Sequence, residues 1–131
     1  MTSAEGNVAA ARRFTELLVS GNYDAVAEMI APDFSVDDMD IPESTGADSF
    51  NEWMARWDAA WESWRLEDLE VRPLGRNRTL SLFRIIARGR GSGVELARDD
   101  AAIADFRDGR VVRIAYYNDQ AQARADAGLA T

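Results

Sequence analysis

In the first half of the chain, apolar residues recur at every third or fourth position, a spacing typical of amphipathic helices. Ala11, Phe14 and Leu18 belong to one such stripe. Gly21 follows the stripe and is suited to end a helix, because glycine tolerates the left-handed conformation found there. We therefore predict a first helix that begins at about Ser3 or Asn7 and ends at Val19.

A second, shorter helix and a strand are predicted next. Asn22 can cap a helix that carries Val26 and Ile30 on one face. Pro32 cannot extend this helix, because proline lacks the backbone N–H. Residues 34–36 then alternate between apolar and polar, as a half-buried strand does.

A third helix is expected after an acidic loop over residues 37–49. Asp48 or Ser49 can cap it. Its apolar side chains lie three or four positions apart and are mostly aromatic: Phe50, Trp53, Met54, Trp57 and Trp61.

The pattern changes to strands in the second half of the chain. Long strands are predicted over residues 64–73, 78–89, 94–106 and 110–118, separated by short clusters of turn residues. Asp108-Gly109 between two of them is a strong hairpin signal. Helices followed by an antiparallel meander predict one α+β domain over residues 1–131.

Composition narrows the chemistry. The formal charge is -8, which argues against binding to nucleic acid or to anionic membranes. Lysine, histidine and cysteine are absent, so the chain has no Schiff-base lysine, imidazole base, thiolate or His/Cys metal site. We expect no cofactor and no metal. No secretory signal or membrane-spanning segment is visible, and a soluble, cytoplasmic protein is expected.

The order of the elements and four strings resemble the nuclear transport factor 2-like superfamily, in particular its SnoaL-like branch. The strings are Gly-Asn-Tyr-Asp-Ala-Val at 21–26, Ala-Pro-Asp-Phe at 31–34, Ser-Gly-Val-Glu at 92–95 and Phe-Arg-Asp-Gly-Arg-Val-Val-Arg-Ile at 106–114. The resemblance implies a cystatin-like roll, in which a cone-shaped, curved, mostly antiparallel sheet wraps around three N-terminal helices. It also implies a homodimer.

Ketosteroid isomerases, polyketide cyclases, dehydratases and non-catalytic domains all share this fold, so fold alone does not assign function. By resemblance to the isomerases, Asp38 occupies the position of the general base. Phe14 stands where those enzymes carry a tyrosine, and Ala102 where they carry a protonated aspartate. The usual isomerase set is therefore incomplete, since both donors to the oxyanion are lost.

Asp38 is the first candidate for chemistry. Facing an apolar cavity, it would gain basicity through desolvation. The alternative is that Asp38 is a solvated loop acid beside Asp37. Because adjacent strand residues point to opposite faces, at most one of the two faces a pocket.

Residues of the last two predicted strands are the second group of candidates. Arg98 and Asp100 lie on one face, where they form either a substrate-binding pair or a structural ion pair. Tyr116 and Asn118 share a face of the last strand. Tyr116 either donates a hydrogen bond to a substrate oxygen or is a core tyrosine.

The tryptophans complete the predicted pocket. Trp53, Trp57 and Trp61 either pack against the sheet or form an aromatic wall for a flat ligand, together with Phe14 and Ala102. Two functions remain open. One is an acid/base isomerase, cyclase or hydratase acting on a small apolar or polycyclic carbonyl compound, with Asp38 as the base and with Asp100 and Tyr116 as further catalytic residues. The other is a non-catalytic ligand-binding or dimerisation module.

Overall fold

The computed structural model describes residues 4–37 and 46–128 of the 131-residue chain. In chain order its elements are α1 (Ala4–Val19), α2 (Tyr23–Ala27), β1 (Ile30–Asp37), α3 (Gly46–Ala60), β2 (Trp61–Leu74), β3 (Arg78–Gly89), β4 (Glu95–Arg107), β5 (Arg110–Tyr117) and α4 (Gln120–Asp126).

The five described strands form one curved, unclosed sheet in the order β1-β5-β4-β3-β2. Strand β1 runs parallel to β5, and the other neighbours are antiparallel. The predicted hairpin at Asp108-Gly109 joins β4 to β5, and both residues have positive φ angles (52° and 78°), as a primed hairpin turn requires. The α+β roll predicted from the sequence is therefore confirmed.

The two faces of the sheet carry separate apolar clusters because strand side chains alternate. The larger cluster joins α1, α2 and α3 to one face and includes Phe34, Phe50 and Val111. The smaller cluster lies on the opposite face and includes Leu80 and Ile103, which pack against α4.

Helix α4 is held at its start and at its end. The Asp119 side chain accepts from the Ala121 N–H at 2.9 Å and caps the first turn. The Tyr117 hydroxyl donates to Asp126 Oδ2 at 2.8 Å. Burial, together with this hydrogen bond, raises the pKa of Tyr117 to about 12. These contacts hold the helix beside the end of β5.

Two predicted helices end earlier than the apolar spacing indicated. Ile30 is the first residue of β1 and pairs with Val111, rather than continuing the second helix. Trp61 begins β2 and pairs with Gly89, rather than continuing the third helix. Pairing with a distant strand supplies backbone hydrogen bonds that the local pattern does not reveal.

Arg90 explains why α3 ends at Ala60. Its backbone N–H donates to the Ala60 carbonyl at 2.9 Å. Its guanidinium donates to the carbonyls of Asp58 (2.9 Å) and Trp61 (3.1 Å). The last carbonyls of a helix have no partner within it, and a residue thirty positions away satisfies them here.

Thr79 on β3 offers a test of core polarity. It is fully buried, and its hydroxyl has no hydrogen-bond partner among the described residues. Thr79→Val keeps the shape and removes the unpaired hydroxyl, so we expect the free energy of unfolding to rise by about 1 kcal/mol. Urea denaturation measures the change. A loss of stability would contradict this assignment.

Candidate functional site

A cavity of about 70 Å³ lies between α1, α3 and the sheet. None of the described residues that line it is charged: Ala11, Phe14, Thr15, Leu18, Trp53, Met54, Trp57, Trp64, Leu66, Ser81, Phe83, Ala102, Ala104, Val111, Ile114 and Tyr116. The cavity is therefore an apolar space with a few neutral polar groups in its wall.

The candidates from the sequence fall into three sets. The cavity lining contains Phe14, Trp53, Trp57, Ala102 and Tyr116. The described residues outside the lining are Trp61, Arg98, Asp100 and Asn118. The remaining candidate, Asp38, lies outside the described residues.

Aromatic rings surround Tyr116. Its ring centroid lies 6.3 Å from that of Trp53, 5.8 Å from that of Trp57 and 6.0 Å from that of Phe83. Trp57 also contacts Trp64, with centroids 5.4 Å apart, and Trp61, at 6.1 Å. Trp61 thus contacts a ring of the aromatic wall without lining the cavity, whereas Trp64 lines the cavity.

Asp100 anchors the hydroxyl end of Tyr116. The carboxyl group is completely buried and accepts from the Tyr116 hydroxyl at 2.6 Å through Oδ2. Arg98 donates to the same group through Nε (2.6 Å) and Nη2 (3.0 Å). A buried carboxylate is tolerated when it is paired and hydrogen-bonded, as it is here.

Arg98 links this anchor to the end of β5. Its Nη2 donates to Asn118 Oδ1 at 3.0 Å. The hydrogen bond to Asp100 raises the pKa of Arg98 above its usual value. Gln120 contributes from the next turn, since its side-chain amide donates to the Asp100 carbonyl at 3.0 Å. The four polar groups therefore hold Tyr116 in place from outside the cavity.

The neighbouring charged residues belong to the opposite face of the sheet. Asp99 is exposed and pairs with Arg84 at 3.2 Å. Asp37, the last described residue of β1, is exposed and pairs with Arg113 at 2.5 Å. Both carboxylates alternate with inward-facing neighbours along their strands, which places them on the face of the sheet away from the cavity.

Ser81 was not recognised from the sequence. It lines the cavity, is 7% exposed and makes no hydrogen bond within the described part of the chain. Its backbone pairs with Ala102 on β4, and Ala102 pairs with Tyr116 on β5, so the three share one row across the sheet. Its position two residues before Phe83 on an apolar face was the available signal.

Two indole groups in the cavity wall lack acceptors. Among the described residues, the Nε1 atoms of Trp53 and Trp57 are buried and have no hydrogen-bond partner. Buried indole N–H groups usually find a partner. The polar groups of the wall thus include two neutral donors without an acceptor.

Metal-binding clusters and membrane-spanning helices are absent from the described residues. Within residues 4–37 and 46–128, no three acidic side chains come together in a way that would hold a metal ion. Over the same residues, none of the helices combines the length and the hydropathy that crossing a membrane requires.

Comparison with known proteins places the chain among related folds. The family model described as a SnoaL-like domain matches residues 11–114. No curated protein matches the chain. A proposed polyketide cyclase from Xanthomonas campestris pv. campestris has a similar structure, with 19% identity, a TM-score of 0.78, and 94% of this chain and 97% of that chain covered.

Two further solved structures carry small molecules. TerC co-crystallised with polyporic acid is 15% identical, with a TM-score of 0.74 and 94% of this chain and 98% of that chain covered. A protein with a ketosteroid isomerase-like fold from Catenulispora acidiphila, in complex with trimethylamine, is 19% identical, with a TM-score of 0.71 and 92% of this chain and 93% of that chain covered. At these identities the likeness shows the fold alone.

Proposed function

Because the chain belongs to the SnoaL-like domain family, we propose that it binds a small carbonyl compound in the cavity and catalyses a cofactor-independent proton transfer on it. The reaction class is that of an isomerase, cyclase or hydratase. The supporting observation is the position of Tyr116, which lines an apolar cavity while a buried carboxylate holds its hydroxyl.

Tyr116 is the group that we expect to meet the carbonyl oxygen. Its proton is directed at Asp100 in the structure. When the hydroxyl turns to a ligand, Asp100 keeps two hydrogen bonds from Arg98, so its buried charge stays compensated. An O–H donor in an apolar site stabilises a developing enolate more than it does in water.

Asp38 completes the proposal as the base. This role comes from the sequence, since Asp38 follows the last described residue of β1. The carboxylate takes a proton from the carbon beside the carbonyl, the electron pair moves to the carbonyl oxygen, and Tyr116 donates a hydrogen bond to that oxygen. In an unsaturated ketone, return of the proton to a different carbon of the conjugated enolate gives isomerisation. Attack of the enolate carbon on a second carbonyl of the same molecule, whose π electrons move to its oxygen and take up the proton from Asp38, gives cyclisation.

Deuterium exchange tests this proposal without knowledge of the natural substrate. We expect the protein to accelerate exchange beside the carbonyl of at least one ketone in D₂O, from a panel that runs from butanone through cyclopentanone to cyclohexanone, as measured by loss of the proton NMR signal. Tyr116→Phe removes the donor and is expected to slow the exchange by about 100-fold.

The matched control for this variant is Tyr117→Phe, which removes a hydroxyl bonded to α4 rather than one at the cavity. It is expected to retain the wild-type exchange rate. Equal rates in wild type and Tyr116→Phe would remove Tyr116 from the mechanism. No exchange with any ketone of the panel would count against the enzyme.

A second candidate is a non-catalytic module that binds the same class of ligand. The absence of any charged residue among the described residues of the cavity lining favours it, because proton abstraction needs a base. Ligand binding without deuterium exchange would support this candidate over the enzyme.

A further inference from the structure

Ser81 is the polar side chain whose position in the cavity has no structural explanation. It is 7% exposed on a strand face where its neighbour Phe83 also lines the cavity. The Thr15 hydroxyl, which lines the cavity from α1, donates to the Ala11 carbonyl at 2.9 Å. The Ser81 hydroxyl makes no such bond among the described residues. Since buried hydroxyls are normally paired, this group is available to a bound molecule.

The row that contains Ser81 defines the floor of the cavity. Ser81, Ala102 and Tyr116 lie opposite one another on three adjacent strands. Neighbouring strands are about 4.8 Å apart, so the backbones of the outer two residues are separated by roughly 10 Å. The alanine between them contributes only a methyl group. A small molecule above Ala102 is therefore flanked by Ser81 on one side and by Tyr116 on the other.

The remaining polar groups in the wall are neutral donors. The indole N–H groups of Trp53 and Trp57 have no acceptor among the described residues, and an indole nitrogen cannot accept a hydrogen bond. Arg98 lies outside the lining, and its Nε and Nη2 are bonded to Asp100. The described wall thus offers no cation to a carboxylate.

The volume limits the size of the molecule. The cavity measures about 70 Å³. An engineered protein cavity of about 150 Å³ accommodates one benzene ring. A compound smaller than a six-membered ring therefore fits the cavity as it stands, whereas a polycyclic compound requires the wall to move.

We propose that the Ser81 hydroxyl donates a second hydrogen bond, from the side opposite Tyr116, to the oxygen of a neutral carbonyl compound smaller than a six-membered ring, and that the cavity excludes carboxylates of the same shape. This inference rests on the proposed ligand site and adds its selectivity. Transfer of a carboxylate into an apolar space without a counter-ion is strongly unfavourable, while a neutral carbonyl gains donors there.

Three molecules of matched shape test the selectivity: butanone, propionate and 2-methylbut-1-ene. In propionate an oxygen anion replaces the methyl group beside the carbonyl of butanone. In 2-methylbut-1-ene a CH₂ group replaces the carbonyl oxygen. We expect butanone to bind at least 10-fold more tightly than either of the others. Titrations of the full chain with ¹⁵N-labelled tryptophan report this directly, because the four tryptophans give four indole signals. Butanone is expected to shift the Trp53 and Trp57 signals, because both rings line the cavity, with Trp→Phe variants supplying the assignments.

Variants at Ser81 test the residue itself. Ser81→Ala and Ser81→Cys are each expected to weaken butanone binding by about 10-fold while leaving the binding of 2-methylbut-1-ene unchanged. The cysteine variant keeps the approximate size of the side chain and offers only a weak donor. Thr79→Val is the matched control, since it removes a buried hydroxyl from the same strand outside the lining, and it is expected to bind butanone as wild type does.

Each other outcome overturns the inference in a recognisable way. Equal binding of butanone and 2-methylbut-1-ene, or wild-type affinity in both Ser81 variants, would show that the donors do not select the ligand, while the proposed ligand site would stand. Equal binding of propionate would refute the exclusion of carboxylates. Failure of all three to bind, with larger ketones still undergoing exchange, would refute the size limit and leave the proposed function intact.

Discussion

Replacement of Asp100 by asparagine is expected to lower the free energy of unfolding by about 3 kcal/mol. Asp100 is completely buried and accepts three hydrogen bonds, two from Arg98 and one from Tyr116. The amide cannot accept both arginine N–H groups through two oxygens, and it leaves a partly buried guanidinium without its counter-charge. Urea denaturation followed by circular dichroism measures the loss.

The adjacent residue provides the control. Asp99→Asn removes a carboxylate from the same strand, but that carboxylate is exposed and its partner, Arg84, is also exposed. Exposed ion pairs contribute about 0–1 kcal/mol, so we expect a change within that range. If Asp100→Asn were no more destabilising than Asp99→Asn, the buried pair would not support the fold, and its role as the anchor of Tyr116 would have to be abandoned.

Asp38→Asn is expected to reduce ketone deuterium exchange by about 100-fold or more, the range that general-base catalysis contributes. Asparagine has nearly the same size as aspartate but cannot take the proton. The exchange assay in D₂O measures the effect, and the circular dichroism spectrum and thermal unfolding of the variant show whether the fold is retained.

Asp37→Asn is the natural comparison for this variant. Asp37 is exposed and paired with Arg113 on the outer face of the sheet, so its loss is expected to leave the exchange rate unchanged. An Asp38→Asn protein that exchanges at the wild-type rate would assign the base to another residue. A drop in both variants would indicate a general effect of the charge at the end of β1.

Local patterns were sufficient for most of the elements. Strand β3 spans residues 78–89, as alternation and the flanking turns predicted, and Asp108-Gly109 forms the predicted hairpin. The errors lie where long-range pairing replaces a local preference. Trp61 fits the helical spacing of Trp53 and Trp57, yet β2 pairs it with Gly89.

The candidate site shows the same division. Phe14, Ala102 and Tyr116 could be assigned to the cavity because the resemblance and the strand alternation place each of them on the inner face. Arg98 and Asp100 were also recognised as a pair, but their orientation behind Tyr116 depends on the curvature and register of three strands. Ser81 was missed because the alternation that places it on one strand face with Phe83 does not distinguish a cavity residue from a core residue.

By itself the sequence determined the α+β class, the order of its helices and strands, and the absence of lysine, histidine and cysteine chemistry, because these follow from local periodicity, turn residues and composition. Only the tertiary structure decided which polar groups meet. It directs the Tyr116 hydroxyl and the Arg98 guanidinium at Asp100, and it leaves Ser81 unpaired beside the cavity. The physical reason is that hydrogen-bond partners on different strands are selected by register and burial, which no short stretch of sequence encodes.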